Sequence, residues 1–293
     1  MAKPIKTVQD YDPEILDLFD AFVHGGIDRR EFIRKAGLLS LGGLTATTLL
    51  SGLVPDYARA MELEESDPRV EGEFMVYPSP GNWQAYLVKP AALDKPAPGV
   101  LVIHENRGRN PYIEDVTRRL ASSGFIAMSP DALTSFGGWT SDDEGRKQQR
   151  TLDRDAMMEN WVAAFNYLKA HPDCSGKVGA VGFCYGGGVV NLLATRLPEL
   201  GAGVPFYGRA APLEDVAKIK SPLLIQNAEL DERILANAPA FEAALTEAGV
   251  EFEAHIYAGA RHGFHNNSTP RYDDAAATLA WDRTIAFFRR HLI

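Results

Sequence analysis

Six short apolar runs recur along the chain, at 99–104, 124–130, 177–183, 202–208, 222–228 and 251–258. Each run is continuous rather than alternating, the pattern of strands buried on both faces. Between them lie segments of helical period at 112–123, 152–170, 187–197, 234–248 and 272–291; the last spaces Trp281, Ile285, Phe288 and Leu292 three to four apart. This alternation predicts a mostly parallel sheet with helices on both faces. Two earlier segments, "EFMVYP" and "WQAYLVKP", predict an antiparallel pair that opens the sheet. Such sheets place their chemistry at the carboxyl ends of the strands. The residues that follow each apolar run are therefore the ones to inspect.

The segment "KVGAVGFCYGGGVVNLLA" reads as a strand, a sharp turn and a helix. Its centre, Gly182-Phe183-Cys184-Tyr185-Gly186, is a G-x-C-x-G version of the nucleophile elbow. The geometry of that turn strains the nucleophile's backbone and leaves room only for glycine on either side. The helix N-terminus behind Cys184 favours the thiolate. The plainer reading is a structural cysteine in a glycine-rich turn.

A nucleophile needs a base, and the base needs an orienting carboxylate. After the run "PLLIQNA" comes "ELDERI", which puts Asp231 just past a strand end; after "EFEAHIYA" comes "GARHGFH", which does the same for His262. Asp231 alone would serve equally as a helix cap, and Glu229 and Glu232 are rivals. His255 within a strand, His171 before a proline and His265 compete with His262. Order and position together favour Cys184–Asp231–His262, the order of nucleophile, acid and histidine in α/β-hydrolases. The loop after the first parallel strand, "VIHENRGRNPYIEDV", supplies the second oxyanion donor of this fold. The expected pair is the backbone N–H of Asn106 with that of Tyr185. Glu105 is a carboxylate where an oxyanion loop needs none, and it could equally be a solvated loop charge.

A net charge of −9 argues against nucleic acid as a partner, since phosphate binding concentrates Lys and Arg. Two cysteines make no Cys-rich zinc site, and no metal or cofactor is expected. If 174–184 is an extended strand, its ends stand roughly 30 Å apart. Cys174 and Cys184 are then independent thiols, because a disulfide needs Cα atoms within about 7 Å.

Residues 1–60 read as a separate object, and 61–293 as a single domain. "DRREFIRK", an uncharged run Ala36–Val54 and an A-x-A end at Ala58 and Ala60 are the parts of an export signal. Arg29 and Arg30 with Phe32 and Lys35 resemble the twin-arginine type. The expectation is periplasmic localisation, with the twin-arginine (Tat) export machinery as partner. The run is also long enough for a membrane anchor, and it would serve too as an N-terminal helix packed on the body or as the contact of a homo-oligomer. In those cases the protein stays cytoplasmic or membrane-anchored. The amphipathic stretch "YDPEILDLFDAFV" ahead of Arg29 is foreign to a plain signal.

From about residue 70 to 293 the chain resembles the dienelactone hydrolases (carboxymethylenebutenolidases). The segments that carry the likeness are "VLVIHENRGRNPYIEDVTRRLASSGFIAMSPDAL", "GKVGAVGFCYGGGVVNLLA", "LDERI" and "GARHGFH". The resemblance implies the α/β-hydrolase fold and hydrolysis of a small-molecule ester or lactone through a thioester acyl-enzyme. It assigns Cys184, Asp231 and His262 to the triad, and it gives Glu105 the task of holding or accepting the cysteine proton. Two departures bear on the substrate. Ser135 and Asn266 stand where relatives acting on dienelactone carry arginines that grip a carboxylate; Arg107, Arg109 and Arg209 are possible substitutes. The competing functional class is a non-catalytic binding module on the same fold with a vestigial triad, and a thiol redox role lacks a resolving cysteine.

Overall fold

A computed structural model describes residues 7–39 and 45–293. The body is an eight-stranded sheet of order β1-β2-β4-β3-β5-β6-β7-β8. Its strands are β1 (Val70–Val76), β2 (Gln84–Pro90), β3 (Ala97–Ile103), β4 (Ile126–Pro130), β5 (Cys174–Phe183), β6 (Ala202–Phe206), β7 (Leu223–Ala228) and β8 (Phe252–Tyr257). β1 pairs antiparallel with β2, and β2 antiparallel with β4; the pairs from β4 to β8 are parallel. The opening antiparallel pair and the six parallel strands of the sequence reading are thus all present.

Alternate residues of β3 feed two different cores. Val100 and Val102 face the helices α4 (Pro111–Ser122) and α10 (Asp274–Leu292). Leu101 and Ile103 face α6 (Arg154–Ala170), α7 (Tyr185–Arg196) and α9 (Ala238–Glu247). Covering both faces explains why the strands read as unbroken apolar runs. The segment 234–248 is two helices, α8 (Glu232–Leu235) and α9, because Pro239 has no N–H to continue the first and suits the start of the second. One helix, α5 (Asp142–Gln149, "DDEGRKQQ"), has no apolar period to betray it; Ser141 caps it through the N–H of Glu144.

The N-terminal segment forms a helical hood over the carboxyl ends of the strands. It comprises α1 (Pro13–Val23), α2 (Arg29–Leu39) and α3 (Ala46–Leu53), with a small core of its own built on Ile15, Phe19, Phe32, Leu50 and Leu53. The uncharged run 36–54 is divided between α2 and α3; residues 40–44 of it lie outside the described residues. Among the described residues no helix is long and apolar enough to cross a membrane.

Two faces of α1 are used. Ile15, Leu16, Phe19 and Val23 turn into the hood core. Asp17, Asp20 and His24, spaced three and four apart, meet the body. Asp17 pairs with Arg261 at 2.6 Å and Asp20 with Arg271 at 3.5 Å. Arg29 of α2 reaches Asp143 of α5 at 3.1 Å, and Asn106 donates from Nδ2 to the Val23 carbonyl at 2.9 Å.

Candidate active site

β5 ends at Phe183 and α7 begins at Tyr185, so the whole turn falls on Cys184, held at φ 57° and ψ −111°. A non-glycine residue there stores about 1–3 kcal/mol of strain. The surroundings enforce it. A Cβ on Gly182 would lie 2.2 Å from the Gly186 carbonyl oxygen, and one on Gly186 would lie 2.2 Å from that of Ile103. The Cys184 N–H donates to Phe206 O at 3.1 Å, and its own carbonyl accepts from Gly188 N at 3.2 Å. The thiol therefore projects from a fixed point above the strand ends. Tyr185 is the first residue of its helix, so its N–H has no intrahelical acceptor and is free for an oxyanion.

Asp231 follows β7 and His262 follows β8. The two loops are laced together by Leu230 N–H to Ala260 O at 3.0 Å. His262 Nδ1 lies 2.5 Å from Asp231 Oδ2, with both residues buried. Asp231 is also the N-cap of α8, accepting from Ile234 N on its other oxygen at 3.3 Å. The two roles weighed for this residue are thus filled together, one by each oxygen. The sulfur of Cys184 and the ring nitrogens of His24 and His262 lie within 4.8 Å of one another.

Burial opposes a charge on Cys184, but the imidazolium of His262 and the hydrogen bond from His24 outweigh it and hold the thiol well below its usual range. Burial likewise opposes a charge on His262, yet the thiolate and Asp231 raise it to about 10. The two shifts describe one thiolate–imidazolium pair.

Glu105 sits in a buried ion pair. Its Oε2 lies 3.0 Å from Arg107 Nη2 and accepts from Asn266 Nδ2 at 2.9 Å. Arg107 is buried and also grips Asp142 at 2.8 Å. The Glu105 carboxylate is thus neutralised by a guanidinium. Asn266, in an arginine's place, positions Glu105. Of the arginines considered for substrate, Arg107 is committed to these carboxylates, Arg109 pairs with Glu114 at 3.3 Å, and Arg209 is exposed, as is Ser135.

The rival histidines are occupied elsewhere. Buried His265 takes the Tyr112 hydroxyl on Nδ1 at 2.7 Å and stacks on Phe183; half-buried His255 faces Glu253; His171 ends α6. Both cysteines are free thiols.

Three residues at the site were not singled out in the sequence. His24, from the hood, places Nε2 at 3.5 Å from Cys184 Sγ and 3.2 Å from His262 Nε2. Arg233 brings Nη2 to 3.2 Å from His24 Nε2 and 3.3 Å from His262 Nδ1. Tyr207, at φ 37°, packs its buried ring 4.8 Å from that of His262. Arg233 lies two residues beyond Asp231 and was within reach of the reading. His24 carried a fainter signal: the hood's lone histidine, four residues after Asp20 on an amphipathic helix.

Comparison with known proteins identifies the family and the fold. The model of the dienelactone hydrolase family matches residues 83–292, and a second, described as YqhI-like, matches residues 3–40. A carboxymethylenebutenolidase homologue from Saccharolobus solfataricus is 31% identical over 246 residues, covering 71% of this chain and 93% of its own. The hydrolase fragment YghX of Escherichia coli is 49% identical over 114 residues, 38% of this chain and 97% of that one. Among solved structures, a dienelactone hydrolase homologue from Klebsiella pneumoniae superposes with TM-score 0.70 at 24% identity, over 75% of this chain and 99% of its own. The fold is that of the α/β-hydrolases, and the chain belongs to the dienelactone hydrolase family.

Proposed function

We propose that this hydrolase cleaves a carboxylic ester or lactone through a thioester on Cys184. The observation that carries the reading is the strained elbow that aims Cys184 at a histidine already backed by Asp231. The thiolate attacks the carbonyl carbon, and the N–H groups of Asn106 and Tyr185 receive the oxyanion. Collapse breaks the C–O bond, and His262 gives its proton to the departing alkoxide. Water then yields a proton to His262 as it attacks the thioester, and the thiolate leaves. No metal or cofactor enters these steps.

The substrate class follows from the charges around the site. With Arg107 spent on Glu105 and Asp142, and Asn266 spent on Glu105, a dianionic lactone finds no buried arginine pair to grip both charges. A neutral or singly charged ester or lactone fits better, with Arg233 as the partly exposed cation at the rim. A panel of p-nitrophenyl acetate, neutral lactones and a carboxylate-bearing dienelactone tests both points. Cys184→Ala is expected to abolish turnover throughout; retention of wild-type rates would sink the nucleophile assignment.

Twin-arginine export to the periplasm is proposed on the sequence alone. The contacts of α1 and α2 with the body favour a hood that stays attached over a leader that is cut away. N-terminal sequencing of the periplasmic protein decides: a start after residue 55 would show removal, and a start before it retention.

A further inference from the structure

Proton bookkeeping in the cluster of His24, His262 and Cys184 leads to a residue outside the family triad. The Asp20 backbone carbonyl can only accept, so the 2.9 Å contact to it requires a proton on His24 Nδ1. The Asp231 carboxylate likewise takes the Nδ1 proton of His262. Two neutral rings so fixed would turn bare lone pairs toward each other at Nε2, across 3.2 Å. That contact is a hydrogen bond only if one further proton lies in it. The donor at hand is Cys184, whose sulfur is 3.5 Å from His24 Nε2.

We propose that His24 is a catalytic residue: with Asp20 it forms a second acid–histidine dyad, which takes up the Cys184 proton jointly with His262. The S–H bond breaks, the proton passes to the facing Nε2 atoms, and one positive charge is spread over two rings beside one thiolate. Charge and atoms are conserved. This rests on Cys184 as the nucleophile, and it gives the hood a chemical task. With Glu105 paired to Arg107, it adds a holder for the thiol proton before substrate arrives.

The charged neighbours agree with the assignment. Asp20 Oδ1 lies 3.3 Å from His24 Nδ1 and is itself steadied by Arg271. Burial opposes ionisation of Asp20, but the hydrogen bond from His24 and the charges of His262 and Arg271 hold its carboxyl below the usual range. From the body, Cys184, His262 and Arg233 face His24, and Asp231 lies behind His262. Arg233, donating toward His24 Nε2, biases the shared proton toward His262.

The test is the pH dependence of iodoacetamide inactivation of the full chain, read as the midpoint of thiolate formation. A chelator is present throughout, because one sulfur and two imidazole nitrogens within 4.8 Å would also suit a soft divalent cation. The wild-type midpoint is expected below the free value of about 8.5. His24→Ala should raise it by about one unit or more, a tenfold loss of thiolate on the rising limb. His24→Gln, which keeps bulk and polarity but cannot hold a proton, should do the same, and Asp20→Asn should move it the same way by less. The acid limb of kcat/KM for p-nitrophenyl acetate should shift with the midpoint. Plateau alkylation rates report access and do not enter. A midpoint unmoved in both His24 variants would overturn the proposal. Turnover that survives Cys184→Ala would instead remove the nucleophile reading, leaving the thiol midpoint to judge His24 alone.

Discussion

Asp231 divides its two oxygens between His262 Nδ1, at 2.5 Å, and the N–H of Ile234, at 3.3 Å. The helix cap fixes the carboxylate, and the carboxylate fixes the ring. Asp231→Asn keeps a cap oxygen but loses the charge that selects the Nδ1–H tautomer. Its kcat should fall by about 10³ to 10⁴, with a melting temperature near that of the wild type. Steady-state kinetics beside thermal denaturation separates the two effects.

The thiolate is the main reason that His262 is raised to about 10. Cys184→Ala removes it, so the imidazole C–H resonance of His262 should titrate at lower pH in the variant. The sign carries through to stability. A raised histidine contributes stability in full below its unfolded value, about 6.5, and loses it as pH climbs through about 10. In the variant that loss should be smaller and complete at lower pH, as denaturant melts across the alkaline range would show.

Gly182→Ala should be among the most damaging single changes in the body. The new methyl would lie 2.2 Å from the Gly186 carbonyl oxygen, and its three nearest atoms are all backbone rather than a side chain able to yield. The loss should be about 3 kcal/mol or more, measured by urea denaturation.

Asp115 fastens the start of the body to α4 by accepting from the N–H groups of Glu62 and Leu63 at 2.9 and 2.8 Å. Burial raises its carboxyl to about 6, despite those bonds and the charges of Arg119 and Arg118. The native state therefore holds the proton more tightly than the unfolded one. The contribution of Asp115 to stability should fall as pH rises from about 4 to about 6, by on the order of 3 kcal/mol. Asp115→Asn should abolish that slope in denaturation curves taken across the window.

Asn106 donates its side-chain amide to the hood at Val23 O. Asn106→Ala should weaken docking of the hood by about 1 kcal/mol. Limited proteolysis within residues 7–53 should accelerate, while cleavage of the body stays slow.

The sheet was legible because burial on both faces writes itself as continuous apolar runs, and the candidate triad was legible because each member lies within four residues of the end of one. Elements without that signature escaped. α5 is polar throughout, and its start is set by a serine cap. Pro239, which divides 234–248, could have been weighed as a breaker in the sequence itself. The N-terminal segment carries a pattern with two uses. Paired arginines followed by a small, apolar run satisfy the grammar of an export signal, and the described residues of that run also pack against α1 in the hood core. His24 reaches His262 across 238 positions, and no local pattern reports such a contact.

That separation has a consequence for the protein's synthesis. The hood is synthesised more than 200 residues before its partners Arg261, His262 and Arg271. Loop closure over such a span is slow and comes late. A nascent chain can therefore carry the elbow and the hood and still lack the residues that hold the hood in place until Arg261, His262 and Arg271 have been added.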